Sequence, residues 1–198
     1  MKIGVLALQG DVREHIDSLL TCEVEAVPVR RASEIESVDA LVLPGGESTT
    51  IAQLAEVFGI FDLIKSKINN GMPVYGSCAG MILLADQILD AKQGQKSFGG
   101  LDITVRRNAF GRQVDSFESD IAFDDGSDQL IRAVFIRAPW VEKVSDTVQV
   151  LASIASHPVA VRSKTALATS FHPEISGDNR IHRYFIEQVA RPALLKVK

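Results

Sequence analysis

Two cysteines in 198 residues are too few for a disulfide framework, and Cys22 and Cys78 lie too far apart in sequence for metal-site spacing. A cytosolic, cytoplasmic protein with reduced thiols is expected. Charge of one sign is also scarce in excess. Twenty-one Lys and Arg stand against 25 Asp and Glu, a net charge of −4, so no global positive field draws the chain to nucleic acid or an anionic membrane. The pair Arg106-Arg107 is too short for a basic patch. No apolar run approaches the ~20 residues of a membrane span. The opening residues 1–8 have a signal-like look, but they are short and Gln9-Gly10-Asp11 follows in place of a small-residue cleavage site. They are read as a first buried strand. There is no Gly-x-Gly-x-x-Gly fingerprint, and the Gly45-Gly46 turn lacks the Gly-Lys-Ser/Thr of a nucleotide loop. No cofactor, no metal, no nucleic acid and no membrane are therefore expected as partners.

What is present fits an ordinary soluble core: 46% hydrophobic and 23% charged residues, enough for one domain over residues 1–198. The first half alternates apolar runs with helical patterns. Strands are expected at 2–8, 23–29 and 39–43, with a fourth entered through Pro73 and leading into Cys78. Between them, Asp11 with Glu14 offers a capping box for a first helix whose apolar face is Ile16, Leu19 and Leu20. Ser33 with Glu36 suggests a short helical turn. Ile51, Leu54, Ala55 and Phe58, then Phe61, Ile64 and Ile68, have helical spacing, and Gly71 ends the second of these helices. Such alternation predicts an α/β fold, a mostly parallel sheet with helices on both faces. In that class ligands gather beyond the carboxyl ends of the strands, where Gln9-Gly10, 45–48 and Cys78 all fall. The second half reads as short strands at 101–106, 114–123, 133–138, 148–153, 159–163 and 166–171, antiparallel additions to the core. Asp178 is a candidate cap for a final helix over 179–189 with Ile181, Phe185 and Val189 on one face, and 191–198 is expected to fray.

The chemistry centres on Gly76-Ser77-Cys78-Ala79-Gly80. A nucleophile between an apolar strand and a helix, flanked by small residues, has the layout of a nucleophile elbow. A thiol is mostly protonated at neutral pH and needs help: the start of the helix at Ala79 and an imidazolium partner. His172 is the candidate base, because Glu174 follows in Ser170-Phe171-His172-Pro173-Glu174. In an extended segment, positions i and i+2 project to one side, and Pro173 stiffens the link. The order Cys, His, Glu suggests a nucleophile, its proton carrier and the group that orients the carrier. Gly45-Gly46-Glu47-Ser48 can present backbone N–H groups to a developing oxyanion; equally, it can be a tight turn with Ser48 or Thr49 capping the next helix. His15 suits a solvated or interface role, and His157 and His182 read as incidental. Cys22 reads as packing.

These residues together resemble the class I, triad-type glutamine amidotransferases, a three-layer, flavodoxin-like fold. The carriers are Gly-x-Cys-x-Gly, Pro-Gly-Gly-Glu-Ser at 44–48 and His-Pro-Glu at 172–174. More narrowly, four further segments, 4–15, 43–50, 107–117 and 134–139, resemble the glutaminase subunits of pyridoxal 5′-phosphate synthases in vitamin B6 biosynthesis. The resemblance implies hydrolysis of L-glutamine to glutamate and ammonia through a Cys78 thioester, with His172 as acid and base and Glu174 orienting it. It implies an oxyanion hole from the N–H groups of Gly46 and Ala79. It also implies a glutamine site of Gly46, Glu47, Ser48, Arg107, Ile136 and Arg137, where an arginine suits the substrate α-carboxylate. The implied partner is a (β/α)8-barrel synthase subunit that uses ribose 5-phosphate and glyceraldehyde 3-phosphate, docked near Gln9, Gly10, Glu14 and His15. Two alternatives stay open: a related triad hydrolase acting on another γ-glutamyl amide, and a non-catalytic regulatory subunit.

Overall fold

The computed structural model describes residues 1–107, 109 and 116–195. Of the segment 107–117, positions 108 and 110–115 lie outside the described residues. The first half runs β1 (Lys2–Leu6), α1 (Val12–Thr21), β2 (Glu25–Val29), α2 (Ala32–Glu36), β3 (Ala40–Leu43), α3 (Ser48–Val57), α4 (Phe61–Asn69), β4 (Val74–Ser77) and α5 (Ala79–Leu84). The second half follows as β5 (Ala85–Leu89), β6 (Leu101–Arg106), β7 (Ser116–Ile121), β8 (Ile131–Ile136), β9 (Trp140–Val144), β10 (Gln149–Ile154), β11 (His157–Arg162) and β12 (Ala166–Thr169). Three short helices close the chain: α6 (Pro173–Ser176), α7 (Arg180–Tyr184) and α8 (Arg191–Leu195), the last two joined by a π-helical turn over Phe185–Ala190.

Seven strands form the main sheet in the order β10-β11-β12-β4-β3-β1-β2. The pairs β1–β2, β1–β3, β3–β4 and β4–β12 are parallel; β10–β11 and β11–β12 are antiparallel. The parallel strands are buried on both faces and split their side chains by period two. Leu41, Leu43, Val74, Ala166 and Ala168 enter one core with the apolar sides of α3, α4 and α5. Ala40, Val42, Tyr75 and Leu167 enter the other, with Leu19 of α1 and with Ile181, Phe185 and Val189 near the C-terminus. The result is three layers, helix–sheet–helix.

Several local expectations need correction. Asp11 makes no side-chain cap to α1; its carboxylate turns toward His172. The cap of α3 is Glu47, whose Oε2 accepts from the Thr50 N–H at 2.7 Å, not Ser48 or Thr49. For α2 the flanking residue is Arg31, with the Glu34 carboxylate reaching back to the Arg31 N–H, so Ser33 and Glu36 do not frame it. Two strands were not foreseen, β5 and β9, and they flank β6 in a separate sheet in which β5–β6 is parallel and β6–β9 antiparallel. The final helix is interrupted by the π turn, and residues 191–195 are helical, where fraying was expected. Asp178 accepts from the Arg180 N–H at 2.9 Å, one residue ahead of Asn179, which takes the cap position.

Candidate active site

Four strands end at one edge of the sheet and deliver the candidate residues there. The turn after β1 brings Gln9 and Asp11, the turn after β3 brings 45–48, β4 ends at Cys78, and the segment after β12 brings His172 and Glu174. Cys78 bridges β4 and α5 with φ 48° and ψ −98°, a left-handed region that costs a non-glycine residue about 1–3 kcal/mol. Its backbone N–H is tied to the Thr169 carbonyl oxygen at 2.8 Å, so the bend is held by the neighbouring strand. Close packing behind it requires glycine. A Cβ at Gly76 would lie 2.5 Å from the Gly80 carbonyl group, and one at Gly80 would collide with the Leu43 carbonyl oxygen. The bend leaves Cys78 7% exposed, at the wall of a cavity of about 430 Å³.

His172 is buried, lines the same cavity as Cys78, and is fixed by its own N–H to the Val134 carbonyl oxygen at 2.9 Å. Its Nδ1 lies 2.8 Å from Glu174 Oε1 and 3.3 Å from Asp11 Oδ2. The pairing does not arise from strand alternation. Pro173 is the first residue of α6, a position where its missing N–H is no loss, and the turn of that helix swings the buried Glu174 carboxylate back under the ring. Burial disfavours the imidazolium, but the partners Asp11, Cys78 and Glu174 outweigh it and push His172 up to about 12. Burial pushes Glu174 upward, against the downward pull of the His172 ring. We take the ion pair as the dominant state, because a carboxylate at 2.8 Å favours the charged ring.

The cavity brings together Cys78, Ala79, His172, Gly46, Glu47, Ser48, Arg107, Ile136, Arg137 and Gln9. Glu174 sits behind its wall, against His172. Arg107, 9% exposed, reaches Glu47 Oε1 with Nη2 at 3.0 Å and Gln95 Oε1 with Nη1. Lys92 Nζ approaches the same Glu47 oxygen at 3.3 Å. Burial opposes ionisation of Glu47, yet the Thr50 N–H, the Thr50 hydroxyl and Lys92 pull it down to about 2. Gly46 has φ +149°, and a Cβ there would come 2.5 Å from Gln9 Oε1; that same oxygen accepts the Glu47 N–H at 2.7 Å. The turn after β1 is thereby pinned to the turn after β3. Arg137 also sits at positive φ, 43°.

Sequence reasoning missed Asp11, Ile82 and Lys92 in the cavity wall. Asp11 was hidden by its position before a helix, where a carboxylate is read as a cap. His15 also needs correction. It is fully buried, with Nδ1 2.9 Å from His182 Nε2, Nε2 3.2 Å from Ser77 Oγ and 3.5 Å from Glu174 Oε2. It therefore presents no side chain to a docking face, and it does have a carboxylate beside it. His182 is buried with it, whereas Gln9, Gly10 and Glu14 are exposed. His157 stacks on Trp140 with ring centroids 3.7 Å apart. Asp11, His172 and Glu174 place three possible metal-ligand atoms within 4.8 Å, but His172 Nδ1 already faces both carboxylates, so the cluster serves the ring's proton. A second cavity, about 470 Å³, is lined by Gly71, Thr165 and Lys164 among others. Gly71 and Thr165 precede β4 and β12, so it opens at the opposite sheet edge, away from Cys78.

A parallel α/β sheet carrying a cysteine at a strained strand-to-helix bend, backed by a His–Glu pair, belongs with the triad-type amide-cleaving enzymes. The SNO glutamine amidotransferase family model matches residues 5–191, and the chain belongs to that family. Pyridoxal 5′-phosphate synthase subunit PdxT of Parafrankia sp. is 56% identical over 195 residues, covering 98% of this chain and 96% of the relative. The protein of the same name from Mycobacteroides abscessus is 58% identical over 187 residues, covering 94% and 96%. Among solved structures, a crystal structure of a glutamine amidotransferase is 45% identical with TM-score 0.88, covering 95% of this chain and 98% of that one. PurLQS from Thermotoga maritima, at 16% identity and TM-score 0.64 with both chains fully covered, shares the fold. No helix among the described residues is long and apolar enough to cross a membrane.

Proposed function

We propose that this chain, as a single glutaminase domain, hydrolyses L-glutamine at Cys78 and passes the ammonia to a (β/α)8-barrel subunit of a pyridoxal 5′-phosphate synthase. The observation that carries the reading is Cys78 and His172 in the wall of one cavity, with His172 held at 2.8 Å by Glu174, and Arg107 and Glu47 in the same cavity. Cys78, as thiolate, attacks the side-chain amide carbon. The tetrahedral oxyanion takes hydrogen bonds from the N–H groups of Gly46 and Ala79. His172 gives its proton to the departing nitrogen, and a thioester remains. His172 then takes a proton from water, whose oxygen attacks the thioester carbon and frees glutamate. Glu174 keeps the ring oriented and balances its charge throughout.

Arg107 meets the substrate α-carboxylate, held in place by Glu47; Ser48, Ile136 and Arg137 complete the walls. Released ammonia is protonated in neutral water and lost as a nucleophile, which favours direct transfer. The exposed Gln9, Gly10 and Glu14 are the docking candidates, and Gln9 links any shift there to Gly46 and Glu47 through its hydrogen bond at 2.7 Å. The free cysteines Cys22 and Cys78 suit a cytoplasmic location.

The test mixes the chain with a barrel synthase, ribose 5-phosphate, glyceraldehyde 3-phosphate and glutamine, and follows pyridoxal phosphate by absorbance. Formation with glutamine alone as nitrogen source, stopped by alkylation of Cys78, supports the reading. Formation that survives complete alkylation of Cys78 overturns it. Short γ-glutamyl peptides run in parallel report whether other amides are cleaved.

A further inference from the structure

Behind the His172–Glu174 pair lies a second buried pair of imidazoles that the mechanism above does not use. His15 comes from α1 and His182 from α7, and both are fully buried. The groups facing His15 are Ser77 and Tyr75 from β4, Glu174 from α6, His182 from α7 and, more distantly, His172. The contacts run in series: His182 Nε2 to His15 Nδ1 at 2.9 Å, His15 Nε2 to Ser77 Oγ at 3.2 Å, and Ser77 Oγ to Glu174 Oε1 at 3.4 Å. His15 Nε2 also lies 3.5 Å from Glu174 Oε2, an oxygen that takes no hydrogen bond among the described residues.

Proton bookkeeping fixes the direction of every bond. An ionised Glu174 accepts only, so the Ser77 hydroxyl donates to it, and Ser77 accepts in turn from His15 Nε2–H. A neutral His15 with its proton on Nε2 has a bare Nδ1, which accepts from His182 Nε2–H. The proton of His182 is then on Nε2, leaving its Nδ1 bare. That atom is buried and receives no hydrogen bond among the described residues, as an acceptor at the end of such a chain would be. With Glu174 ionised and both rings neutral, only this assignment gives every contact in the series one donor and one acceptor.

We propose that His15 is a positioning residue of the catalytic site: its Nε2–H orients the Ser77 hydroxyl so that it donates to Glu174, and His182 locks its tautomer, so that the carboxylate stays ionised and turned toward His172. The inference rests on the glutaminase reading of Cys78, His172 and Glu174. Both outer rings are kept neutral by burial: His182 is pushed down to about 4, and His15 is held well below its usual value by burial, with His182 and His172 adding to the effect. They therefore supply dipoles near neutral pH, not charge. Without them Glu174 is a buried carboxylate with one donor fewer, and it takes a proton at higher pH.

The direct test needs no variant. Nitrogen-15 shifts of the histidine rings in the intact chain, followed through pH 6–8, report tautomers. The proposal expects His15 and His182 both neutral with the proton on Nε2; a proton on Nδ1 of either, or an imidazolium at either, overturns it. Kinetics in the complex with the synthase supply the functional arm. His15→Gln keeps a donor where Nε2 stood, whereas His15→Asn keeps only the acceptor toward His182. His15→Asn is expected to lower kcat by ten-fold or more, with KM changed less than two-fold and the acid limb of the pH profile moved upward, and His15→Gln to restore most of the loss. Equal activity of the two variants overturns the positioning role. Tautomers as expected in a protein without any glutaminase activity would sink the reading of Cys78 and leave the network standing.

Discussion

Asp11 Oδ2 lies 3.3 Å from His172 Nδ1, the same ring nitrogen that Glu174 holds at 2.8 Å. One imidazole thus faces two carboxylates, one on the turn after β1 and one inside α6. Both favour the protonated ring. Gly45 makes this possible, since a Cβ there would sit 2.8 Å from both Asp11 Oδ2 and His172 Nδ1.

Replacing Asp11 by Asn should therefore move the alkaline limb of the kcat/KM profile. The His172 value is raised, to about 12, so the active imidazolium is present below that value and is lost as pH rises through it. Removing one of its carboxylates lowers the value, and the limb shifts to lower pH by about one unit, since Asp11 is partly exposed and screened. A pH–rate series of glutamine hydrolysis with the partner subunit measures it. An unmoved limb would show that Asp11 contributes nothing to His172.

Arg107 is expected to act on binding more than on chemistry. Its side chain is 9% exposed and its guanidinium is pinned by Glu47 and Gln95, which leaves further N–H groups for a carboxylate. Hydrogen bonds to charged groups are worth about 1.5–3 kcal/mol, so Arg107→Ala should raise KM for glutamine roughly 10- to 100-fold. The change in kcat should be smaller. Steady-state kinetics separate the two, and a fall in kcat at constant KM would remove Arg107 from the substrate site.

The parallel core was legible because each strand buried on both faces is a continuous apolar run, as at 39–43, and each helix repeats its apolar residues at three and four. The elbow was legible because its spatial demands are written in small residues next to Cys78. The edges were less so. Trp140–Val144 is a strand whose sequence, Trp-Val-Glu-Lys-Val, carries two adjacent charges and follows a proline, so its period was easily lost; it is held by pairing with β6 and by the stack of Trp140 on His157. Residues 85–89 continue directly from α5 without a turn residue, and only pairing with β6 reveals the switch. The buried roles of His15 and His182 depend on a packing of α1 against α7 that no local pattern encodes. Asp11 and Glu47 exchanged expectations: the residue read as a cap faces the histidine, and the residue read as a site wall also caps a helix.

Gly80 allows α5 to press its first turn onto β3. A methyl group there would meet the backbone oxygen of Leu43, which has no rotamer to yield. Gly80→Ala should destabilise the fold by about 3 kcal/mol, the upper end for overpacking, and should distort the Cys78 bend. Urea unfolding followed by circular dichroism measures the loss. A midpoint within error of the parent would mean that α5 can move away from the sheet.

Glu47 ties stability to acid pH as well as closing the cavity. Its carboxylate is held at about 2 against 4.5 for the free group: burial opposes the charge, but the Thr50 N–H, the Thr50 hydroxyl and Lys92 outweigh it. Because the folded value lies below the unfolded one, the charged form supports the fold fully above pH 4.5, and its contribution fades as pH falls from 4.5 through 2. The side chain is 39% exposed, so solvent screening reduces the contribution to about 1 kcal/mol. Glu47→Gln should thus lower stability near neutral pH by about that amount and flatten its decline between pH 4.5 and 2 relative to the parent. Parallel slopes for the two proteins across that window would show that the cap of α3 does not depend on the charge of Glu47.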